Sequence, residues 1–191
     1  MIVSVLDFSS YVGLVAVGLV TLNMLLGMLM AMRYSPVRRW PHRQFNYFRL
    51  HNWSGIMALT LSILHPLILL FNKPIRFRIV DLAYPIHSPS QPFENTLGGI
   101  ALYLVAIVVL TSYLRIQLGR RLWKAVHFTI YIAAVAIFWH SLSADPGLRQ
   151  SVIDWFDGGK IFAEICLVLV VITCIVRWQF FLNRSPNRRI Q

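Results

Sequence analysis

Four of the six histidines in this 191-residue chain lie inside long apolar stretches, where ionisable side chains are rare and usually functional. They form two pairs, His51 with His65 and His127 with His140, on two apolar segments that are not neighbours in the chain. His51 and His65 are 14 residues apart, which on an α-helix is about 21 Å along the axis and about 40° short of four turns. The imidazoles of this pair therefore face one side of the helix at two depths.

Two such segments that run in the same direction would bring His51 opposite His127 and His65 opposite His140. A pair of facing imidazoles is an axial site for haem iron, and iron with two such ligands has no open position, which favours electron transfer over oxygen binding. Zinc or copper would favour histidines clustered within a turn or two. The residues therefore predict two b-type haems, with histidines that serve only packing as the open alternative.

The second pair departs from ideal helix geometry. His127 and His140 are 13 residues apart, which is about 140° short of four turns on an α-helix. An overwound stretch or different side-chain directions must correct this difference, and no proline or glycine in 128–139 marks where the correction lies.

The elements that position these residues are predicted from composition and length. The chain is 57% hydrophobic and 13% charged, which is typical of a membrane protein rather than a soluble domain. Five segments are long and apolar enough to cross a bilayer, namely 11–32, 50–71, 97–114, 126–142 and 161–182. We predict an all-α integral membrane protein in which residues 1–191 form one domain, a five-helix transmembrane bundle with the haems between its second and fourth helices.

The charged residues predict the orientation of this bundle. The segments after the first, third and fifth spans hold 13 basic residues and no acidic residue, whereas the opposite side has a net charge of −2. The positive-inside rule places the carboxyl terminus in the cytoplasm and the amino terminus outside, in what we expect to be a bacterial inner membrane. The net charge of +11 thus belongs to a surface that contacts membrane lipid, and nucleic acid is not expected as a partner.

Charged and aromatic residues near the histidines could bind the haem groups. The candidates for holding the anionic propionates are Arg49 and Lys124 on the inner side and Arg78 on the outer side, and the candidates for packing on porphyrin are Trp53 and Trp139. For each of them, the alternative is an interfacial residue that contacts only lipid. Lys160 and Glu164 are four residues apart, which predicts an ordinary surface ion pair.

The histidines and their surroundings resemble the ferric reductase-like transmembrane domain. This superfamily includes NADPH oxidases, ferric reductases and the haem-binding subunit of the bacterial methionine sulfoxide reductase system. Its oxidases and ferric reductases carry H-x13-H on one helix and H-x12-H two helices later, and this chain has His51-x13-His65 and His127-x12-His140. Residues 51–55 and 65–72 are similar to the first haem helix, and residues 119–127 to the start of the second. The resemblance covers roughly residues 15–180.

The resemblance implies two b haems in a transmembrane electron pathway that normally carries electrons outward. No nucleotide-binding or flavin-binding motif occurs in these 191 residues, so the expected donor is a separate cytoplasmic flavin reductase, or quinol. The expected acceptor is a redox protein on the outer side. Two alternatives stay open, namely a self-contained ferric or oxygen reductase that acts at the outer haem, and a non-redox membrane anchor or transporter subunit.

Overall fold

The computed structural model describes residues 4–32, 46–145 and 156–183, and its elements within these ranges are helices. In chain order they are α1 (Val5–Ala31), α2 (Tyr47–Ile68), α3 (Ile79–Ala83), α4 (Pro92–Tyr113), α5 (Arg115–His127), α6 (Ile130–Ser143) and α7 (Gly158–Leu182), with short 3₁₀ turns at Leu69–Phe71 and Pro85–His87. Five helical segments are long and apolar enough to cross a membrane, with α5 and α6 together forming the fourth. The predicted five-span, all-α membrane fold is confirmed.

The long helices begin where the sequence offers a capping group. Ser4 caps α1, because its hydroxyl accepts a hydrogen bond from the Asp7 backbone and the Asp7 carboxylate accepts one from the Ser4 backbone, both at 3.0 Å. Asn46 caps α2 and Asp157 caps α7 in the same way through one side-chain oxygen each. The helix α4 begins instead with Pro92. Proline suits this position, because the backbone N–H that it lacks would have no acceptor within the first turn of the helix.

The five spans form a closed ring. The helix α1 packs against α2 and α7, α7 packs against α6, α6 packs against α4, and α4 packs against α2. Apolar side chains of α1, α6 and α7 fill the core between them, with Met24, Met28, Phe138 and Val170 among its buried members. The second and fourth spans are therefore not close neighbours. They face each other across the interior of the ring.

The fourth span is interrupted immediately after His127. The Thr129 N–H bonds to the Val126 carbonyl at 3.0 Å, and the Tyr131 N–H bonds to the Phe128 carbonyl at 3.2 Å. The Thr129 hydroxyl donates to the same Val126 carbonyl at 2.7 Å, which favours a local bend. Bonds of this i→i+3 type belong to a 3₁₀ turn, which rotates about 120° and rises about 2.0 Å per residue, against about 100° and 1.5 Å in an α-helix.

This turn explains how 13 residues match a spacing of 14. About three residues in 3₁₀ geometry add roughly 60° of rotation and 1.5 Å of rise. As a result, His140 has nearly the depth and the direction that it would have in a regular α-helix if it were 14 residues after His127 instead of 13. Of the two corrections that the spacing allowed, the structure has an overwound stretch, and it lies at Phe128 and Thr129.

The two ends of the ring differ in character. Residues 72–91 cover one end, which we name the loop end, and bury Phe77, Asp81 and Pro85 against it. Gln91 is the one non-glycine residue with a positive φ in the described ranges. Its side chain donates one hydrogen bond to the Asp145 carbonyl and accepts one from the Asp145 N–H. The opposite end, which we name the basic end, carries Arg49, Arg115, Arg120, Arg121 and Lys124. The remaining basic residues predicted for that side, Arg33, Arg38, Arg39, Arg43, Arg184, Arg188 and Arg189, lie outside the described residues, whereas Arg177 is on α7.

Candidate functional site

The four histidines face the interior of the ring as two pairs. The ring centroids of His51 and His127, the basic-end pair, are 6.2 Å apart, and those of His65 and His140, the loop-end pair, are 6.3 Å apart. A metal ion bound about 2.0 Å from one nitrogen of each ring, on opposite sides, would hold the two centroids about 6.3 Å apart. Both separations therefore fit a metal ion with two axial imidazole ligands.

Three of the four imidazoles are oriented by a backbone carbonyl of a neighbouring helix. The Nδ1 atom of His65 lies 2.8 Å from the Ser9 carbonyl, that of His51 lies 3.0 Å from the Asn23 carbonyl, and that of His140 lies 2.8 Å from the Glu94 carbonyl. Because a carbonyl only accepts hydrogen bonds, Nδ1 must be the donor, so the lone pair is left on Nε2. This is the form in which histidine binds metals, and a carbonyl is a usual partner of its other nitrogen.

A glycine four residues after each carbonyl gives the imidazole its space. A Cβ atom at Gly13 would lie 3.0 Å from Nδ1 of His65. One at Gly27 would lie 3.3 Å from Cε1 of His51, and one at Gly98 would lie 3.1 Å from Cε1 of His140. Each ring thus occupies the place where a side chain would otherwise stand, which lets it approach the helix backbone closely.

The fourth imidazole, that of His127, has a different partner. On α4 a serine, Ser112, takes the place of the glycine, and its hydroxyl donates to the Val108 carbonyl at 2.7 Å. The Nδ1 atom of His127 lies 3.5 Å from the Ser112 oxygen, so the serine stands between the ring and the carbonyl. Trp123 packs beside His127 with ring centroids 5.2 Å apart, and its buried Nε1 has no hydrogen-bond partner among the described residues.

These supporting residues repeat at the same interval as the histidines. On α1 the carbonyls of Ser9 and Asn23 are 14 residues apart, as are Gly13 and Gly27, and on α4 the same holds for Glu94 and Val108 and for Gly98 and Ser112. That interval equals the spacing of the histidines on α2, so α1 supports both of them, while α4 supports both histidines of the fourth span. The sequence analysis missed these positions, although the 14-residue spacing of Gly13 and Gly27 equals that of His51 and His65 and could have indicated that they are related.

Each pair lines a cavity. The loop-end cavity has a volume of about 660 Å³, within the range of roughly 300–1,000 Å³ that small-molecule and cofactor sites occupy. Besides His65 and His140, its lining includes Gly13, Gly98 and Lys160. The basic-end cavity has a volume of about 260 Å³ and is lined by His51, His127, Ser112 and Arg115 among others. The loop-end cavity thus has the volume of a cofactor site, and the basic-end cavity is somewhat smaller than that range.

The charged and aromatic residues that were predicted to contact the haem propionates or the porphyrin do not line either cavity. Arg49 and Lys124 are exposed and line neither one, whereas Arg115 lines the basic-end cavity with its guanidinium 5.1 Å from the centre of the Phe48 ring. Trp53 and Trp139 are 56% and 58% exposed, so most of each ring points outward. Arg78 is paired with Asp81 at 3.2 Å, and its hydrogen bonds lower the pKa of the Asp81 carboxyl. The cations at the cavities that sequence reasoning did not select are Arg115 and Lys160.

A ring of membrane-spanning helices with two interior histidine pairs is the architecture of a membrane component with two candidate metal centres. The family described as ferric reductase like transmembrane component matches residues 12–138, which is more than half of the chain. The chain belongs to this family and is a membrane redox component. The matched range contains His51, His65 and His127 and ends two residues before His140. No curated protein and no solved structure matches the chain.

Proposed function

We propose that this protein is a dihaem b-type cytochrome that carries electrons across the membrane, with His51 and His127 as ligands of one haem and His65 and His140 as ligands of the other. The observation that carries the proposal is the equal geometry of the two pairs, whose ring centroids lie 6.2 and 6.3 Å apart. Two imidazoles per site leave the remaining ligand positions to a porphyrin. Haem, when bound, supplies one-electron transfer through its iron.

The chain's own residues hold and shield these sites. The two imidazoles of each pair would both bind the haem iron, which would leave no position for an external ligand and would favour electron transfer over substrate chemistry. The carbonyls of Ser9, Asn23 and Glu94 fix three rings through Nδ1, so the ligands keep their orientation in either redox state. The two histidines of α2 are about 21 Å apart along the helix axis, so the two sites together span most of a hydrocarbon core of about 30 Å.

The charges of the two ends support a direction for electron flow. At the basic end, Arg49, Arg115, Arg120, Arg121 and Lys124 are all exposed, and such a cluster marks the cytoplasmic side of a bacterial inner membrane. Electrons would then enter at the basic-end pair from a cytoplasmic flavin reductase, or from quinol, and leave at the loop-end pair toward a redox protein outside. A soluble acidic donor would be steered to this end by opposite charge.

The test is electron transfer across sealed vesicles. Purified protein is reconstituted with ferricyanide trapped inside, and a flavin reductase with flavin and NADH, or a quinol, is added outside. We expect b-type bands that are reduced by either donor, and loss of the trapped ferricyanide in vesicles that contain the wild-type protein but not the His51→Ala variant. With a soluble donor, the rate should fall as salt rises, because screening weakens the attraction between exposed charges.

Other results would favour other functions. Reduction of both haems by NADPH alone would contradict the need for a separate donor. Rapid reduction of a ferric complex or of oxygen, with no partner protein present, would favour the self-contained reductase. A protein without b-type bands would be a non-redox anchor or transporter subunit.

A further inference from the structure

Lys160 is a buried cation with no partner among the described residues. It lies in the first turn of α7, is 6% exposed and lines the loop-end cavity together with His65 and His140. The one ion pair of the described ranges joins Arg78 and Asp81, and no hydrogen bond from Lys160 occurs there. The surface pair with Glu164 that the sequence predicts is therefore wrong, because the Lys160 side chain is held in the interior.

Three features make a lysine costly at this position. The residue is 6% exposed and its ammonium group faces only the cavity, and a charge without a partner in such a place is unfavourable. The amino-terminal end of a helix carries partial positive charge, which repels a cation. Four carboxylates also line the cavity, and each has a partner other than Lys160. Asp7 and Asp157 cap helices, Asp81 is paired with Arg78, and Asp145 has an interaction of its own. A bound anion would offset all three costs.

The first turn of α7 is itself suited to an anion. The 25-residue helix begins with Gly158 and Gly159, both of which line the cavity. The Gly159 N–H already donates to the Asp157 carboxylate at 3.0 Å. Glycines leave the other backbone N–H groups of a first turn accessible, and such groups bind anions. Lys160 is the one lysine or arginine among the described residues that line this cavity. A flat or branched anion such as a carboxylate could contact the ammonium group and the turn together.

We propose that Lys160 and the first turn of α7 form a carboxylate-binding site in the loop-end cavity. The inference rests on the proposed function, because the cavity is also the site of the haem held by His65 and His140. The carboxylate has two sources, a propionate of that haem or a carboxylate on a soluble acceptor that reaches the cavity from the loop end.

The test is a redox titration of both haems in Lys160→Met, with Lys73→Met as the matched control. Lys73 is an exposed lysine of the loop end that does not line the cavity. If the site holds a propionate, Lys160→Met should disfavour reduction of the loop-end haem about tenfold, or about 59 mV for one electron, because an uncompensated anion stabilises the ferric form. The basic-end haem and the Lys73→Met protein should be unchanged, and Lys160→Arg should restore the wild-type potential.

Added citrate separates the two sources. If the carboxylate belongs to a soluble acceptor, citrate shifts the potential of the loop-end haem in the wild type but not in Lys160→Met. If it is a propionate, citrate shifts the potential in neither protein, because the site is already filled. An equal titration together with an equal response to citrate would overturn the proposal, while normal b-type bands would leave the proposed function standing. If Lys160→Met does not accumulate, the wild-type apoprotein loaded with the dimethyl ester of haem, which has no free carboxylate, replaces it in the titration. The potential of the loop-end haem should then rise more than that of the basic-end haem if the site holds a propionate, because Lys160 loses its anion, and an equal rise together with no response to citrate would overturn the proposal.

Discussion

A methyl group added at Gly13 should disturb one haem and leave the other intact. The new Cβ atom would lie 3.0 Å from Nδ1 of His65, closer than ordinary van der Waals contact. The imidazole must retreat by a few tenths of an ångström, which stretches its 2.8 Å bond to the Ser9 carbonyl toward the long end of the usual range of hydrogen bonds and weakens it. We therefore expect Gly13→Ala to act on the loop-end pair.

The size of the effect on haem binding follows from the weakened hydrogen bond between His65 and the Ser9 carbonyl. A hydrogen bond of this kind contributes about 1 kcal/mol net, and loss of the outer hydrogen bond of a ligating histidine weakens metal sites by roughly 10–100-fold. We expect the loop-end haem to dissociate about ten times faster from Gly13→Ala than from the wild type. Its midpoint potential should rise, because an imidazole without this partner is less basic and stabilises the ferric form less.

The assay is haem transfer to an excess of apomyoglobin, followed optically, together with a redox titration. Gly18→Ala is the matched control, because its Cβ atom would lie 3.1 Å from the Phe162 ring, a similar crowding on the same helix, with no histidine within 4 Å. Gly27→Ala, whose Cβ atom would lie 3.3 Å from His51, should instead loosen the basic-end haem. Equal effects of Gly13→Ala and Gly18→Ala on both haems would refute the reasoning.

Three further outcomes are expected. Ser112→Gly should let Nδ1 of His127 reach the Val108 carbonyl and so slow dissociation of the basic-end haem, whereas Ser112→Ala should speed it, as measured by the same transfer assay. Gly119→Ala should lower the melting temperature with unchanged haem spectra, because φ of 72° and ψ of 158° cost a residue with a side chain roughly 1–3 kcal/mol. Arg78→Ala should lower thermal stability near neutral pH, and the difference should shrink as the pH falls below the ordinary Asp pKa of 3.8, because the lowered pKa of Asp81 gives stability only while its carboxyl is ionised.

The sequence was sufficient for the features that depend on local pattern. The five spans follow from runs of apolar residues, and the pairing of His51 with His127 and of His65 with His140 follows from their order along two spans of the same direction. An irregularity after His127 was predictable from the 13-residue spacing, but its place was not. Thr129 is not distinguished by its hydroxyl bond, because Thr60 and Thr173 also donate to a preceding carbonyl within helices that continue past them.

The features that depend on contacts between helices were not predictable in this way. Lys160 has the spacing of a surface ion pair with Glu164, and only the packing of α7 against α1 brings it into the cavity. Arg49 precedes His51 by two residues, about 200° around the helix, which turns its side chain away from the ring interior. Lys124 is three residues before His127 and on a similar side of the helix, yet it is exposed and lines neither cavity, which its spacing does not reveal. The contact between Gly13 and His65 joins residues 52 positions apart, so no local pattern reveals it.

The most direct test of the two-haem account is the haem content of the four single histidine variants. The wild-type protein should contain two non-covalent b haems per chain by the pyridine haemochrome assay. His51→Ala and His127→Ala should each lose the same haem, identified by its midpoint potential, and His65→Ala and His140→Ala should each lose the other. One haem per wild-type chain, or loss of different haems by the two members of a pair, would contradict the account.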